Sequence, residues 1–544
     1  MTAQADARTA GLVNTGPGTV SATHRAKQML ARAHWAAGAF ATYDRAAVLR
    51  VAEAAATAAH GQARKYAEWA VAETGFGVAE HKLLKNEACS LGVWERYRDE
   101  DFVSPRIDPA AKIVALPRPA GVVLALTPST NPVCSVFFKV IIALLTRNAI
   151  VVSPHPMAAA CCTDAARLLA AAAVEAGAPD GVIQVVEHPT VPLIETLMAD
   201  PVTGVIVATG GTAVVRAAHR SGNPALGVGP GNVPVLVDAT ADVPAAARRI
   251  ADSKAFDNSV LCTNESVLIA EDAIADQLTR ELQRQRAAVL DPAGTARVRD
   301  YLFPDGRLSA EAVGKDAAWI AERAGVRVPP RTRLLVAPID LVVPEELLVR
   351  EKLSPVLGLV RTPTAERGIE AARAVVRIGG PGHSAAIHSQ DAATILGFGS
   401  RVPVLRISVN VGNSTGSSGL ETNLAPSMTL GTGFAGRSSI GENLEPRHLV
   451  NWARIAYNAD AAVPFGEFSG LSTDQAPDGP VPAYPDASNL PQASGFSRTG
   501  PPVPAPPGPA DPAPGQGSMA GVPDAVREQL RALIIEELRE LVGG

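Results

Sequence analysis

The chain has 544 residues, 47% of them hydrophobic, so it can bury a large core and is expected to divide into two to four domains. Its net charge is −5 with acidic and basic residues interspersed, which excludes the basic stripe of a nucleic-acid-binding protein and the polybasic run that binds lipid headgroups. Residues 1–20 lack the apolar segment of a secretory signal, so a cytoplasmic location is predicted. Five cysteines without a CxxC pair argue against a disulfide framework or structural zinc, so we predict reduced thiols and no metal.

The most apolar stretch, residues 121–145, has the composition of a membrane span. The polar residues TPSTNP divide it into pieces that are each shorter than the roughly 20 residues a helix needs to cross a bilayer. We therefore predict a soluble protein that acts on small ligands or protein partners.

The first half of the chain predicts helices followed by a parallel sheet. Residues 23–98 are rich in alanine with apolar residues at helical spacing. From residue 112, short apolar runs alternate with helical segments, and the strands are KIVALP, GVVLALTP, AIVVSP, VIQVVE and GVIVAT. Apolar strands that are each followed by a helix indicate a parallel sheet covered on both faces. Ligands bind beyond the carboxyl ends of such strands, which makes three loops candidates for binding: TPSTNP (127–132), SPHP (153–156) and TGG (209–211).

A second alternating region begins at PVLVD (234–238) and runs to about residue 408, with PVLGLV and SAAIHS as strands. Within it, Cys262 lies between a helical run, residues 243–258, and the apolar run SVLIA, so it interrupts regular structure. Two glycine patterns that follow, GNSTG and GTGFAG, lack the helix that a nucleophile elbow or a dinucleotide fingerprint needs, and we interpret them as loop glycines. The segment HLVNWARIAY (448–457) is expected to end the compact part.

The composition changes after residue 460. Residues 473–521 consist mainly of Pro, Gly, Ala and Ser, which predicts a disordered linker. In residues 523–542, apolar side chains recur at spacings of three and four while charged ones occupy the other side. This pattern predicts an amphipathic helix on a tether.

Cys262 is the candidate nucleophile among the five cysteines. A thiolate that attacks a carbonyl needs donors for the developing oxyanion, and Asn131 in TPSTNP can supply one while the backbone N–H of Cys262 supplies another. From the residues alone this pairing is a hypothesis, since an Asn before Pro is more often a turn residue.

Several ordered motifs together resemble a coenzyme A-acylating aldehyde dehydrogenase, from about residue 20 to residue 457: TPSTNP, VATGGTAVVRAA, GVGPGNVP, DNSVLCTNESVLIA, EKLSPVLGLV, PGHSAAIHS and LAPSMTLGTGF. The resemblance implies an α/β fold of two Rossmann-like domains with a small oligomerisation extension. It also implies a nicotinamide cofactor, NAD with NADP left open, coenzyme A as co-substrate, and a homodimer or homotetramer.

The same resemblance implies roles for the residues that match the family's motifs. Cys262 would be the nucleophile and Asn131 the oxyanion donor. Gly229 would line the nicotinamide site and Glu351 would bind the nicotinamide ribose. The remaining cofactor-binding residues would be Thr127, Pro128, His155, Thr209, Gly210, Gly211 and Leu353.

Two further positions bear on the reaction or the cofactor. His155 stands where hydrolytic relatives usually have a lysine that contacts the adenosine ribose, which leaves the choice between NAD and NADP open. His383 in PGHS either approaches the site or is a packed loop residue.

One departure from hydrolytic relatives concerns the reaction itself. Val228 takes the place of the glutamate that activates water in those enzymes. A thiol with a pKa near roughly 8.5 is already partly ionised at neutral pH, so coenzyme A can attack without that base. We therefore expect a short-chain aldehyde to become an acyl-CoA through a thioester on Cys262. A dehydrogenase that forms the free acid and an assembly protein with a relict site are the alternatives.

The expected domains are a disordered N-terminus (1–20), a cofactor-binding domain (21–235), a catalytic domain (236–425), a return to the cofactor and oligomerisation region (426–460), a linker (461–522) and a terminal helix (523–544). A proline-rich linker with a terminal amphipathic helix resembles the encapsulation peptides of enzymes in bacterial microcompartments. This implies a shell protein or co-cargo as partner and the microcompartment lumen as location.

Overall fold

The structure is a computed structural model that describes residues 21–468, 470–471 and 483–485. The predicted disordered N-terminus, most of the predicted linker and the predicted terminal helix lie outside these residues.

The α-helices of the described chain are α1 Ala22–Phe40, α2 Arg45–Gly61, α3 Ala63–Thr74, α4 Ala79–Glu87, α5 Val93–Tyr97, α6 Pro132–Leu145, α7 Ala159–Glu175, α8 Val191–Ala199, α9 Thr212–Arg220, α10 Val243–Ala255, α11 Asp272–Arg284, α12 Pro292–Leu302, α13 Ala317–Arg323, α14 Ala365–Ile378, α15 Ala392–Arg401 and α16 Asn413–Gly416. The strands are β1 Arg106–Asp108, β2 Ile113–Pro119, β3 Val122–Leu126, β4 Ala149–Ser153, β5 Ile183–Val185, β6 Thr203–Thr209, β7 Ala225–Val228, β8 Val233–Val237, β9 Glu265–Glu271, β10 Ala287–Val289, β11 Leu334–Pro338, β12 Val356–Thr362, β13 Ala385–His388, β14 Ile407–Val409 and β15 Val450–Ala456.

Helices open the described chain, as the alanine-rich spacing predicts. The side chains of Ser21 and Asp44 start α1 and α2 by accepting the backbone N–H groups of His24 and Ala47, the usual role of short polar residues at a helix N-cap. The apolar sides of these helices join the core of the first sheet.

Two parallel sheets carry the fold, which confirms the α/β prediction. The first has the order β5-β4-β3-β6-β7 and the second the order β10-β11-β12-β9-β8-β13-β14. Strands β3 and β4 are buried at every position, as expected for strands covered on both faces. The short loop 229–232 joins the two sheets, and the expected domain boundary at 235/236 falls inside β8.

A third, antiparallel sheet of order β1-β2-β15 forms a small extension. The run KIVALP was expected in the parallel sheet, but it forms β2 of this extension, so that prediction was wrong. The physical reason is that most of β2 is partly exposed, which suits a sheet that is only partly covered, whereas β3 is wholly buried.

The sequence analysis expected the compact part to end at Tyr457, but in the structure it continues beyond this residue. The Lys112 ammonium group donates to the backbone carbonyls of Asn458, Asp460 and Val463. The rings of Tyr457 and Phe465 pack edge to face with centroids 5.0 Å apart. These contacts hold the chain after β15 against the extension.

The apolar stretch 121–145 consists of a strand and a helix, β3 and α6, as its division by TPSTNP predicts. Within the described ranges, a different helical stretch, Pro156–Glu175, is long and apolar enough to cross a membrane by length and composition alone. Core helices pass the same test, and its side chains Cys161, Cys162 and Leu169 belong to the core of the first sheet.

Candidate active site

The three candidate loops leave the first sheet at one edge. Leu126 of β3 lies in register with Ser153 of β4 and with Ala208 of β6, so the loops that follow these strands are neighbours. The Thr127 N–H donates to the Ser153 carbonyl at 3.0 Å, and the His155 N–H donates to the Thr127 carbonyl at 3.1 Å. Thr127, Pro128 and His155 therefore lie side by side.

The turn from β6 to α9 has the features of an anion site. Thr209 ends β6, and its hydroxyl lies 2.9 Å from that of Thr429. A Cβ added to Gly210 would lie 2.8 Å from a methyl group of Val214, whereas one added to Gly211 would meet nothing within 4 Å. Gly211 is the N-cap of α9, which has no side-chain cap and no acidic residue in its first turn. Because the backbone N–H groups of a helix N-terminus favour anions, this open turn fits a phosphate group.

Asn131 lies at the N-terminus of α6 and faces the segment that leads to Cys262. Its Nδ2 atom donates to the Val260 carbonyl at 3.4 Å and to the Thr130 hydroxyl at 3.3 Å. Its Oδ1 atom accepts from the Lys85 ammonium at 2.6 Å. The structure thus brings together the two chain segments that the sequence analysis paired.

Cys262 lies in a loop between α10 and β9, as predicted, and it is partly exposed whereas the other four cysteines are buried. The helix before it is shorter than predicted, because α10 ends at Ala255. Asp257, Asn258 and Ser259 then adopt positive φ values of 50°, 50° and 65°. Non-glycine residues rarely adopt this conformation, and three in succession turn the chain sharply before Cys262.

Gly231 joins Cys262 to Glu351, a contact that the sequence analysis missed. A Cβ at Gly231 would collide with the Cys262 carbonyl oxygen and would lie 3.3 Å from Cε1 of His383. The Gly231 N–H lies close enough to the Glu351 carboxyl group to lower the pKa of that group. The sequence analysis named Gly229 instead, where an added Cβ would meet nothing within 4 Å.

The thiol of Cys262 holds its proton at neutral pH. Although the residue is partly exposed, the protein atoms packed around its sulfur shield it from water and raise its pKa to about 12. The negative charge of Glu351 adds to the rise, and the Arg406 guanidinium opposes it. Burial likewise raises the pKa of Glu351 to about 8, against the Gly231 N–H and the charge of Lys254. Cys262 must therefore lose its proton to a base before it can attack.

The other predicted positions lie around this centre. Val228 ends β7 and is buried, so β7 brings no carboxylate to the site at this position. Leu353 follows Glu351 by two residues, with φ at 44°, and its carbonyl accepts the Gly314 N–H. His383 is buried; its Nδ1 pairs with the Ser384 hydroxyl, and burial, followed by the charge of Arg406, lowers its pKa to about 3, so the imidazole is neutral.

Comparison with known proteins places this arrangement in a family. The profile of the aldehyde dehydrogenase family matches residues 16–297. The bifunctional aldehyde-alcohol dehydrogenase AdhE of Escherichia coli (strain K12) is 37% identical over 427 residues, covering 77% of this chain and 48% of that protein. The succinate-semialdehyde dehydrogenase (acetylating) of Clostridium kluyveri is 34% identical over 441 residues, covering 80% of this chain and 97% of that protein. The chain belongs to the aldehyde dehydrogenase family.

Within the family, the similarity is to acylating members. The crystal structure of an acetylating aldehyde dehydrogenase from Geobacillus thermoglucosidasius superposes with a TM-score of 0.79 at 37% identity, covering 81% of this chain and 97% of that one. The chain spans about half the length of the AdhE relative.

Proposed function

We propose that this protein is a coenzyme A-acylating aldehyde dehydrogenase that oxidises a short-chain aldehyde through a thioester on Cys262. One observation carries the proposal: the Asn131 amide donates to the Val260 carbonyl, two residues before Cys262. The loop that carries the candidate oxyanion donor thus lies against the segment that leads to the thiol.

The open edge of the first sheet fits a dinucleotide. Gly210 and Gly211 at the start of α9 would hold its phosphates. Thr127, Pro128, His155 and Thr209 would contact the dinucleotide at the same edge of the sheet, and Gly229, Glu351 and Leu353 would contact its nicotinamide half. A bound nicotinamide supplies the acceptor for the substrate hydride. We propose NAD as the cofactor. NADP is the second candidate, because His155 replaces the lysine that contacts the adenosine ribose in hydrolytic relatives, and that contact does not decide between the two cofactors here.

The residues of the chain suit each stage of the reaction. The deprotonated Cys262 sulfur adds to the aldehyde carbon, and the resulting oxyanion accepts hydrogen bonds from Asn131 Nδ2 and the Cys262 N–H. Loss of hydride from that carbon leaves a thioester on Cys262. The coenzyme A thiolate then attacks the thioester carbon, the acyl group leaves as acyl-CoA, and the Cys262 thiolate is released.

Two observations favour coenzyme A over water as the acyl acceptor. Val228 brings no carboxylate to the position where hydrolytic relatives have their base. A propionaldehyde dehydrogenase from Rhodopseudomonas palustris, 26% identical with a TM-score of 0.71 over 79% of this chain and 97% of that one, was solved with bound CoA and an acylated cysteine.

The test is a steady-state assay with C2 to C4 aldehydes, with and without coenzyme A, first in NAD and then in NADP. We expect reduced cofactor and acyl-CoA to form in equal amounts only when coenzyme A is present. Cys262→Ala should lower turnover by about 10⁴-fold or more. An undiminished rate without coenzyme A would contradict acyl transfer, and full activity of Cys262→Ala would contradict Cys262 as the nucleophile. No turnover of the parent protein with any aldehyde would leave only a binding or assembly role.

Formation of the free acid is the second candidate function, and Glu351 is the observation that favours it. A carboxyl group with a pKa of about 8 beside Cys262 can accept a proton from water as well as from a thiol. Under this alternative, Glu351→Gln abolishes acid formation measured without coenzyme A.

We also propose that the terminal segment, residues 523–544, directs the enzyme to a microcompartment shell protein or co-cargo. The support is its amphipathic pattern after a proline-rich linker. A fluorescent protein that carries this segment should co-sediment with purified shells, and an equal amount in the pellet for the unfused fluorescent protein would contradict the proposal. A homodimer or homotetramer is proposed from the family alone, and light scattering tests it.

A further inference from the structure

A buried group of charges lies behind Asn131 and has no part in the chemistry described above. Asp257 is fully buried, and its carboxylate is paired with two lysines of α4, Lys82 and Lys85, whose side chains are nearly inaccessible. The Val78 N–H donates to the same carboxylate at 2.7 Å, and the Asp257 N–H donates to the His81 ring at 2.8 Å. We call Asp257, Lys82 and Lys85 the Asp257 cluster.

The cluster holds two lysines and a single carboxylate. Burial opposes ionisation of Asp257, but the ammonium groups of Lys85 and Lys82 and the Val78 N–H outweigh it and hold the pKa of Asp257 below its ordinary value. A buried charge is costly unless it is paired or hydrogen-bonded. Because the single carboxylate can balance only one of the two ammonium groups, the remaining positive charge needs hydrogen-bond acceptors. The acceptors lie in the loop that contains Asn131.

The two lysines reach that loop at different atoms. Lys85 Nζ donates to Asn131 Oδ1 at 2.6 Å, whereas Lys82 Nζ donates to the Thr130 carbonyl at 3.1 Å. A lysine ammonium can only donate, so its partner on an asparagine side chain must be the oxygen. The contact with Lys85 therefore fixes which end of the Asn131 amide faces the cluster, and it leaves Nδ2 facing the Val260 carbonyl, two residues before Cys262.

We propose that Lys85 is a positioning residue that holds the Asn131 amide with its donor end toward the reacting carbonyl. Asp257 in turn holds Lys85, and because Asp257 lies five residues before Cys262, the cluster connects the oxyanion donor to the loop of the nucleophile. The inference rests on the proposed role of Asn131 in acyl transfer.

Lys82 provides a matched control. It has the same charge, the same ion-pair partner and nearly the same burial, but it makes no hydrogen bond to Asn131. Removal of either lysine leaves Asp257 paired with the other, so neither Lys85→Met nor Lys82→Met strands a buried carboxylate.

The test is a double-mutant cycle on kcat and KM with Lys85→Met, Lys82→Met, Asn131→Ala and the two lysine variants combined with Asn131→Ala. Loss of one oxyanion donor should lower kcat by about 100-fold or more in Asn131→Ala. Lys85→Met should lower kcat at least about 10-fold with the aldehyde KM nearly unchanged, and it should have less than about a 2-fold effect once Asn131 is alanine. Lys82→Met should change kcat by the same factor in both backgrounds.

Three results would count against the inference. An equal loss from Lys85→Met with and without Asn131 would show that the lysine does not act through the amide. A loss from Lys82→Met that also disappears in the Asn131→Ala background would assign the effect to charge alone. Unchanged kcat in Asn131→Ala would refute the proposed oxyanion donor itself, which separates failure of the function from failure of the inference.

A second pair of variants covers the case in which circular dichroism shows that Lys85→Met is unfolded. Arginine also only donates, so Lys85→Arg should keep kcat within about 3-fold, whereas the amide of Lys85→Gln can pair with either end of Asn131 and should lose more than about 10-fold. Equal kcat values for these two variants would overturn the inference.

Discussion

Burial has the largest effect on the pKa of the Cys262 thiol, and two ionisable side chains shift that pKa in opposite directions. Glu351 raises the pKa of the thiol, and Arg406 lowers it. The Arg406 guanidinium donates to the carbonyls of Gly382 and His383, both at 3.0 Å, and to the side chain of Asn443. These acceptors are neutral, and no ion pair of Arg406 forms within residues 21–468, so its positive charge can act on the sulfur.

Replacement of Glu351 by glutamine should make Cys262 easier to ionise. The substitution removes a negative charge that disfavours the thiolate, so the pKa of Cys262 falls below its value in the parent protein. We expect the pH at which iodoacetamide modifies Cys262 at half its maximal rate to shift downward, measured by mass spectrometry of the labelled peptide. Cys262→Ala identifies the labelled peptide, and an upward shift in Glu351→Gln would contradict the assignment.

His388 should make the fold sensitive to acid. Burial, with the charge of Arg249, lowers its pKa from 6.5 to about 4, and neither ring nitrogen has a hydrogen-bond partner in the described part of the chain. Between these two values the unfolded chain binds a proton that the folded chain does not, so stability falls as the pH drops below about 6.5. At 1.36 kcal/mol per pH unit, this histidine can cost up to about 3 kcal/mol by pH 4.5.

His388→Gln is the variant that isolates this effect. Urea unfolding at pH 7 and at pH 4.5 should show a smaller difference for the variant than for the parent protein. If the free energy of unfolding falls equally between pH 7 and pH 4.5 in both proteins, groups other than His388 determine the loss of stability in acid.

At the scale of elements, the loop 229–232 packs against the separate loop that contains Cys262 and helps to position that residue. Gly231→Ala should displace the Cys262 backbone, because the new Cβ would collide with its carbonyl oxygen. We expect kcat to fall by about 100-fold or more, as for other small displacements at an active site, and the rate of Cys262 alkylation to change. Gly229→Ala is the control for alkylation, since its added Cβ would meet nothing within 4 Å. Equal alkylation rates in Gly231→Ala and Gly229→Ala would contradict the contact between Gly231 and Cys262.

Elements with strong local patterns could be predicted from the sequence. Strands β3 and β4 are wholly buried and are followed by apolar helices, so their continuous apolar runs predicted a covered parallel sheet correctly. The run KIVALP is also apolar, and only tertiary structure shows that β2 pairs with β15, more than 300 residues later, rather than with β3. The position of the Cys262 loop was predicted correctly. The turn formed by residues 257–259 was missed, because Asp, Asn and Ser also fit the end of a helix.

The contacts that join the site across the chain had no sequence signal. Lys85 and Asp257 are 172 residues apart, and each lies in a segment that reads as an ordinary polar helix surface. Gly231 is one of several glycines in GVGPGN, and the collision that excludes a side chain there is with the Cys262 backbone, 31 residues later in the chain. Such constraints depend on packing between distant segments, which no local spacing encodes.

At the scale of the whole molecule, removal of residues 486–544 should leave catalysis intact. Lys112 holds the chain at Asn458, Asp460 and Val463, and the ring of Trp35 packs on Tyr484 with centroids 5.7 Å apart, so an earlier truncation would remove contacts of the compact part. We expect specific activity within about 2-fold of the full chain and loss of co-sedimentation with shells. Parallel loss of both would contradict a separate targeting role for the terminal segment.

Truncation after Tyr457 is the informative comparison. It removes the carbonyl acceptors of Lys112 and the ring of Phe465 that packs on Tyr457. This shorter protein should have a lower melting temperature than the one truncated after Pro485.

The left-handed run before Cys262 has a consequence for mutational tolerance. Ser259 is buried with φ at 65°, and its hydroxyl has no hydrogen-bond partner within the described residues. Glycine at this position would lose no hydrogen bond and would relieve about 1 kcal/mol of backbone strain, whereas valine or isoleucine would increase it. A saturation library at position 259 should therefore rank variants by backbone preference instead of hydrophobicity, with glycine, asparagine and aspartate recovered and β-branched residues depleted.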